Sequence, residues 1–185
     1  RVYGHFEGVE SVRACVEAAV ETGVKYLSLY AFSEENWNRP QAEVDTLMEL
    51  MVKAMADEMA SLDKNGVRFM VVGNRARLSD SLNQVIDSCM EQTASNRTLT
   101  LIIFLSYSGK WDILQAAKRM VVKALESPEA AEDILDMDIA GFDSYLSTDG
   151  IPDPDLIVRT SGECRLSNYL LWQGAYSELL FVDTL

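Results

Sequence analysis

The chain has 185 residues, 48% hydrophobic and 24% charged, which is typical of a folded globular protein with one full core. Its 16 basic and 29 acidic residues give a net charge of −13, which argues against a broad surface for DNA, RNA or anionic lipid but leaves room for a local anion site. Three widely spaced cysteines favour a reducing, cytoplasmic setting, and a single histidine excludes a His-rich zinc site.

Helices and strands alternate along the chain. Apolar spacing predicts, in order, a helix over 7–22, a strand over 24–32, a helix from Gln41 to Asn65, a strand over 67–73, a helix over roughly 78–95 and a strand over 99–108. The second half is predicted to hold a helix over 111–126, one or two short helices within 127–148, a strand within 151–160, a short helix over 167–177 and a strand over 178–184. Continuous apolar strands separated by helices indicate an α/β fold, which we predict as a single domain, 1–185, with a central, mostly parallel sheet flanked by helices.

Two polar clusters follow predicted strands. The first, "SEENWNR" at 33–39, follows the first strand, and the second, "RTSGECRLS" at 159–167, follows the fourth. Ligands of parallel α/β sheets bind beyond the carboxyl ends of the strands. The pattern therefore predicts that both clusters face one cleft.

The second cluster has the composition of a diphosphate receptor. Arg159 and Arg165 supply guanidinium forks, Gly162 permits a bend that would expose N–H groups, and Ser167 would start a helix whose N-terminus favours phosphate. In an acidic chain both arginines could instead pair with nearby carboxylates: Asp153, Asp155 or Glu163. The residue pattern alone leaves both interpretations open.

Longer segments show a family resemblance. "DPDLIVRTSGECRLSNYLLWQGAYSELLF" closely resembles the signature of the cis-prenyltransferases, the undecaprenyl diphosphate synthase family, and "YAFSEENWNRP" is similar to the other family signature. "GH" near the start and "LSYSGKWDI" in the middle fall in the expected order, so the resemblance covers essentially the whole chain. It implies a Mg²⁺-dependent transferase that extends an allylic diphosphate, commonly farnesyl diphosphate, with isopentenyl diphosphate units, each new double bond being cis.

The resemblance also implies roles for residues of the second cluster. Arg159, Arg165 and Ser167 would hold the diphosphate of isopentenyl diphosphate. Glu178 would help to bind Mg²⁺, close to the interface of a homodimer. Spacing alone favours the interpretation of Glu178 as a surface carboxylate at the start of a strand.

In the first cluster, the resemblance implies that Ser33, Asn36 and Arg39 act around the reacting diphosphates, with Trp37 shaping the loop. Departure of diphosphate builds negative charge on oxygen, which Asn36 and Arg39 could stabilise. A turn that leads into a helix, with a packed indole, is compatible with the same residues. His5 matches the family histidine and could donate a hydrogen bond or assist proton movement.

The helix from Gln41 is expected to hold this loop through Glu43. It also carries methionines at helical spacing, which indicate either ordinary core or the wall of a tunnel for a growing polyprenyl chain: Met48, Met51, Met55 and Met59.

The sequence departs from the family pattern in places. Many members carry Asn at the position of Ser106 and Gly-Gly-Arg at 108–110, where this chain has Ser-Gly-Lys. The family's aspartate motif is expected upstream of Arg1, so we expect a chain trimmed at both ends.

The leading hypothesis is a homodimeric cis-prenyltransferase that makes a polyprenyl diphosphate, with undecaprenyl diphosphate as the expected product. It would be cytoplasmic and at most peripherally in contact with membrane, through its apolar product. The alternative is a non-catalytic partner subunit of a heteromeric cis-prenyltransferase. A serine hydrolase is disfavoured because the chain has no G-x-S-x-G segment, a phosphatase because no strand-end nucleophile motif is found, and Cys164 is expected to be a bystander.

Overall fold

The computed structural model describes residues 2–184, with side chains described from Glu10 onward. The chain folds as two compact units, 1–106 and 107–185. The first unit contains the helices α1 (Val2–Thr22), α2 (Gln41–Lys64) and α3 (Asp80–Gln92), and the strands β1 (Tyr26–Ser33), β2 (Val67–Val72) and β3 (Leu99–Tyr107), the last of which ends at the boundary.

The strands of the first unit form a three-stranded sheet in the order β1-β3-β2. Strand β2 runs parallel to β3, with Val67 opposite Leu99 and Val72 opposite Phe104. Strand β3 is the middle strand, and its predicted continuous apolar run is buried along most of its length, as expected of a strand that is covered on both faces. The end of β3 consequently lies between the loop that follows β1 and the loop that follows β2.

Helices α2 and α3 complete the core of the first unit. Helix α2 begins after Pro40, whose carbonyl accepts from the N–H groups of Glu43 and Val44 at 2.9 and 3.2 Å, and the helix buries Val44, Met55 and Met59. Helix α3 begins at Ser79, whose hydroxyl accepts a hydrogen bond from the N–H of Leu82. The predicted bounds of both helices agree with the structure to within a few residues.

The second unit contains α4 (Gly109–Ala124), α5 (Pro128–Leu135), α6 (Ile139–Asp143), β4 (Leu156–Arg159) and β5 (Glu178–Phe181). Strands β4 and β5 pair in parallel, with Leu156 opposite Glu178. The predicted α/β class with parallel strands is thus confirmed, while hydrogen bonding arranges the strands as a three-stranded and a two-stranded sheet.

The predicted helix over 167–177 is wrong. This segment is a series of turns in which Ser167, Asn168 and Leu170 have φ values of 50°, 64° and 43°. Left-handed residues cannot propagate a right-handed helix. Leu170 and Gln173 are nevertheless buried, so the segment's apolar spacing reflects packing and not helical periodicity.

The first helix also differs from its prediction, since α1 begins at Val2 and not at residue 7. Within the described residues, none of the helices has both the length and the apolar character needed to cross a membrane.

Candidate functional site

The first polar cluster lies in the connection between β1 and α2. Strand β1 ends at Ser33, and Glu34–Asn38 forms a 3₁₀ helix before α2 begins. The backbone N–H of Ser33 donates to Oδ1 of Asn36 at 3.0 Å. The amide oxygen of Asn36 is therefore used within the loop, and its NH₂ group is the end suited to donate to a ligand.

Arg39 lies where this loop enters α2. Its Nη1 donates to Oε1 of Glu43 at 3.1 Å, one helical turn further on. The expected contact of Glu43 with the loop is therefore present. Both side chains are largely exposed, and such a pair contributes little free energy, so Arg39 can exchange this carboxylate for phosphate oxygens at small cost.

Trp37 is attached to the end of β3 through a buried hydroxyl. Its Nε1 donates to Oγ of Ser106 at 2.8 Å, and Oγ of Ser106 donates to Oε1 of Glu34 at 2.5 Å. Ser106 is 0% exposed. The indole also packs edge-on against Phe32 at a centroid distance of 5.3 Å, which confirms the packed indole, while the part of Trp37 in shaping a substrate loop stays a prediction.

Arg77, from the loop after β2, completes this arrangement. Its Nη1 lies 3.0 Å from Oε2 of Glu34, and its guanidinium carbon lies 4.6 Å from the Trp37 ring centroid. We call Glu34, Trp37, Arg77 and Ser106 the loop clamp. Sequence reasoning assigned no role to Glu34 or Arg77, although Arg77 follows the carboxyl end of a strand, which is the signal that could have found it.

The second cluster contains two arginines in different states. Arg159 is the last residue of β4, and among the described residues no carboxylate oxygen lies within 4.0 Å of its guanidinium nitrogens. Arg165 pairs with Glu163 at 2.8 Å, and its side chain is 67% exposed. The alternative interpretation, pairing with surface carboxylates, therefore applies to Arg165 and not to Arg159.

The turn after Arg159 does not offer its backbone to an anion as predicted. The N–H groups of Ser161 and Gly162 donate to the carbonyls of Thr184 and Val182 at 2.9 and 3.0 Å. Their φ values, 70° and 66°, turn both donors towards the residues that follow β5. The prediction that Gly162 exposes free N–H groups is wrong, because the bend extends the strand pairing instead.

Ser167 is not at a helix N-terminus, so the predicted dipole contribution there is also wrong. The neighbouring Asn168 has another function in the fold. Its carbonyl accepts from the N–H of Gly109 at 2.7 Å, and its Oδ1 accepts from the N–H of Lys110 at 3.0 Å. Asn168 thereby caps α4 and fixes the turn that carries Ser167 and Arg165.

Glu178 is the first residue of β5 and is exposed, and its N–H donates to the carbonyl of Asp155 at 2.9 Å. Over the described residues, no group of three His, Cys, Asp or Glu side chains could hold a metal ion. Mg²⁺ in proteins commonly takes one or two carboxylates together with phosphate oxygens. Glu178 therefore fits Mg²⁺ as one ligand of an ion that a diphosphate also binds.

The remaining sequence predictions have mixed outcomes. His5 lies in α1, but its side chain falls outside the described residues. Met55 and Met59 belong to the buried core of the first unit, which confirms the core interpretation for these two. The tunnel, and the cleft shared by the two clusters, stay predictions.

Comparison with known proteins gives consistent matches over the whole chain. The family model for prenyltransferases, described as undecaprenyl diphosphate synthase, matches residues 1–185. An isoprenyl transferase of Chlorobaculum tepidum is 45% identical over 188 residues, covering 100% of this chain and 69% of that protein. A farnesyl-diphosphate-specific ditrans,polycis-undecaprenyl-diphosphate synthase of Vibrio vulnificus is 41% identical over 181 residues, covering 98% and 71%.

A solved structure is similar as well. The crystal structure of lavandulyl diphosphate synthase from Lavandula x intermedia, in complex with dimethylallyl diphosphate, matches with a TM-score of 0.90 and 30% identity. The match covers 99% of this chain and 78% of that one.

Proposed function

The chain belongs to the undecaprenyl diphosphate synthase family of prenyltransferases, and from this premise we propose that it condenses isopentenyl diphosphate units onto an allylic diphosphate, with cis geometry at each new double bond. In each cycle the allylic carbon–oxygen bond breaks and diphosphate leaves. The double bond of isopentenyl diphosphate supplies the electron pair of the new carbon–carbon bond, and a proton is lost.

The observation that carries the proposal is the state of Arg159. In a chain with a net charge of −13, its guanidinium at the end of β4 has no carboxylate within 4.0 Å among the described residues. A guanidinium fork matches diphosphate oxygens bidentately. Arg159 is therefore the main residue that binds the diphosphate of isopentenyl diphosphate. Arg165 and the hydroxyl of Ser167 donate further hydrogen bonds, from the turn that Asn168 fixes.

Mg²⁺, when bound, neutralises diphosphate oxygens, and Glu178 would be its protein ligand in this chain. The exposed position of Glu178 at the start of β5 leaves its carboxylate accessible to such an ion. The other residues of the second cluster bind and orient the diphosphate through hydrogen bonds, which requires no change in their own protonation.

The first cluster acts on the leaving group. The NH₂ group of Asn36 and the guanidinium of Arg39 donate to oxygens that gain negative charge as the allylic bond breaks, and Ser33 adds a hydroxyl. Trp37 shapes the loop that presents them. His5 would donate a hydrogen bond to diphosphate or assist the departure of the proton.

The finer parts of the proposal concern primer, product and assembly. The Vibrio relative supports farnesyl diphosphate as primer and undecaprenyl diphosphate as product. We further propose a homodimer that acts in the cytoplasm and touches membrane only peripherally, through its apolar product.

The test is an assay of the full natural chain with farnesyl diphosphate, labelled isopentenyl diphosphate and Mg²⁺. The proposal expects a long product extractable into butanol, its loss on addition of EDTA, and a fall of about 10- to 100-fold in kcat/KM for Arg159→Ala, since hydrogen bonds to charged groups contribute about 1.5–3 kcal/mol. Arg68→Ala, which removes an exposed arginine of β2, is the matched control and should retain the parent activity.

Absence of product from every allylic primer would contradict the catalytic proposal. In that case, restored synthesis when a catalytic relative is added would identify the chain as a partner subunit. Equal losses in Arg159→Ala and Arg68→Ala would instead contradict the assignment of Arg159 as the diphosphate receptor.

A further inference from the structure

Ser106 has an unusual backbone. Its φ is 54°, in the left-handed region that residues other than glycine seldom occupy, and the residue is completely buried. Its carbonyl accepts from the N–H of Asn74 at 2.8 Å, which fixes the end of β3 to the loop that follows β2. Such a conformation persists only where the surroundings hold it, and it is often found at functional sites.

The hydroxyl of Ser106 has two partners with opposite requirements. An indole N–H can only donate, and a carboxylate can only accept. The Ser106 hydroxyl accepts from Trp37 at 2.8 Å and donates to Glu34 at 2.5 Å, so it joins two groups through one short side chain.

Each of the four residues of the loop clamp contacts two of the others. Glu34 bonds Ser106 with one carboxylate oxygen and Arg77 with the other, and the Arg77 guanidinium lies over Trp37. The segment 34–37 is thus held at both ends. Asn36 lies between the two attachment points, and Arg39 lies two residues beyond the second.

We propose that Ser106 is a positioning residue: its hydroxyl fixes the β1–α2 loop by joining Trp37 to Glu34, and so places Asn36 and Arg39 for the reaction. This inference rests on the proposed function of the loop. Ser106 touches no substrate in this role, and it acts through the two loop residues that it joins.

The kinetic test compares Ser106→Ala with Thr93→Val in the full natural chain. Thr93 is a matched control, because it is also buried in the first unit and its hydroxyl also makes two hydrogen bonds, from the N–H of Phe69 and to the carbonyl of Cys89. Ser106→Ala should lower kcat about tenfold while the KM for isopentenyl diphosphate stays within about twofold. The variant releases a loop whose side chains stabilise the transition state, and loss of such stabilisation lowers kcat. Thr93→Val should leave both constants within about twofold. An unchanged kcat in Ser106→Ala, or an equal loss in Thr93→Val, would overturn the proposal.

Two further variants separate the effect of the Ser106 hydroxyl from the effect of its left-handed backbone conformation. Ser106→Gly relieves the left-handed strain but supplies no hydroxyl, and it should be as impaired as Ser106→Ala. Ser106→Asn supplies one acceptor and one donor on a residue that tolerates left-handed φ, and it should recover most of the lost kcat. Full activity in Ser106→Gly would overturn the proposal, because only the backbone would then matter.

The hydrogen bond of the Trp37 indole can be tested by NMR, independently of enzyme activity. The ¹⁵N-labelled protein has three tryptophans, and the Nε1–H resonance of Trp37 is the one absent from Trp37→Phe. Ser106→Ala should shift this resonance and speed its exchange with water at least tenfold, while Thr93→Val should leave it in place. An unmoved resonance would overturn the proposal even in an active enzyme. Failure of the parent to make product, with the resonance displaced, would contradict the proposed function and not the attachment of the loop.

Glu34→Gln keeps the proposal testable if Ser106→Ala does not fold. It retains an oxygen for the Ser106 hydroxyl and removes the charge that Arg77 pairs with. We expect kcat to fall about three- to fivefold, and a double mutant with Arg77→Met to show less than the product of the single effects, as coupled neighbours do. Unchanged kcat in Glu34→Gln, or fully multiplicative effects, would contradict the clamp.

Discussion

The guanidinium of Arg77 lies 4.6 Å from the ring centroid of Trp37, although the two residues belong to loops that follow different strands. Strands β1 and β2 both border β3, so the loops at their ends can meet above its terminus. A guanidinium can make this contact because it is planar: it stacks on the aromatic face while its in-plane N–H groups remain available to Glu34.

Arg77→Lys should therefore weaken the loop although it conserves the charge. An exposed cation–π contact contributes about 0.5–1 kcal/mol, and we expect a loss of that size in the free energy of unfolding measured with urea. Activity should fall several-fold through kcat. Arg68→Lys, on the exposed face of β2, serves as the control and should change neither quantity; the stacking argument fails if both variants behave alike.

Glu163 should restrain the diphosphate receptor. It pairs with Arg165 at 2.8 Å, and this exposed pair must be broken before Arg165 can bind a phosphate oxygen. Glu163→Gln should lower the KM for isopentenyl diphosphate about two- to fivefold with little change in kcat, since a surface pair is worth up to about 1 kcal/mol. Steady-state kinetics at low and at high salt measure this, and the difference between parent and variant should shrink at high salt. A raised KM would show that Glu163 itself contributes to binding.

Asp112 should be essential to the stability of the second unit. Its buried carboxylate accepts from the N–H of Ser147 at 2.8 Å and from the hydroxyl of Tyr107 at 3.2 Å, and Nε2 of Gln173 lies 3.4 Å away. Asp112→Ala removes the buried carboxylate from this network and leaves the N–H of Ser147 without its acceptor, which should cost about 3 kcal/mol or more of unfolding free energy. Denaturation with urea measures the loss. Asp133→Asn, at an exposed position of α5, should stay within about 0.5 kcal/mol of the parent, and a similar small change in Asp112→Ala would contradict the network.

Tyr30 should make stability depend on pH at the alkaline end. Burial, with the charges of Glu35 and Glu34, raises the pKa of Tyr30 from 10.0 to about 12. Because the folded state favours the protonated phenol, this contribution is fully present below the unfolded pKa of about 10 and is lost as pH rises towards the folded value.

The measurement is the unfolding free energy between pH 9 and pH 12. Tyr30→Phe should reduce the fall over this range without abolishing it, since burial also raises the pKa of Tyr107. Tyr176→Phe, at a fully exposed ring, is the control and should keep the parent slope. An unaltered slope in Tyr30→Phe would refute the assignment.

Gly73 should tolerate no side chain. Its φ is 141°, and a Cβ there would overlap the carbonyl oxygen of Leu105 on the neighbouring strand. Gly73→Ala should destabilise the first unit by about 3 kcal/mol or more, since both backbone and neighbour would have to move. Gly23→Ala is a control with φ of 79° and no atom within 4 Å of the added carbon, and it should cost about 1–2 kcal/mol. Equal costs would show that the φ value alone governs both positions.

Elements that depend on local sequence were predicted correctly, whereas a segment that depends on contacts distant in sequence was not. Helix α2 could be predicted because Gln41–Lys64 combines helical apolar spacing with a proline before it and Asn65-Gly66 after it. Strand β3 could be predicted because its apolar run has the length and composition of a buried strand. The segment 167–177 could not, since its apolar residues are spaced as in a helix while left-handed turns and tertiary packing decide its path.

By itself, the sequence determined the α/β class, the order of the elements outside the segment 167–177, the family resemblance and the two polar clusters, because local periodicity and short motifs encode all of these. Tertiary structure alone decided that Arg165 is paired while Arg159 has no carboxylate within 4.0 Å among the described residues, and that the N–H groups after Arg159 are used by the residues beyond β5. It also decided that Ser106 lies between Trp37 and Glu34, about 70 positions away along the chain. Hydrogen bonds of such separation depend on strand order and burial, which no local pattern in the sequence records.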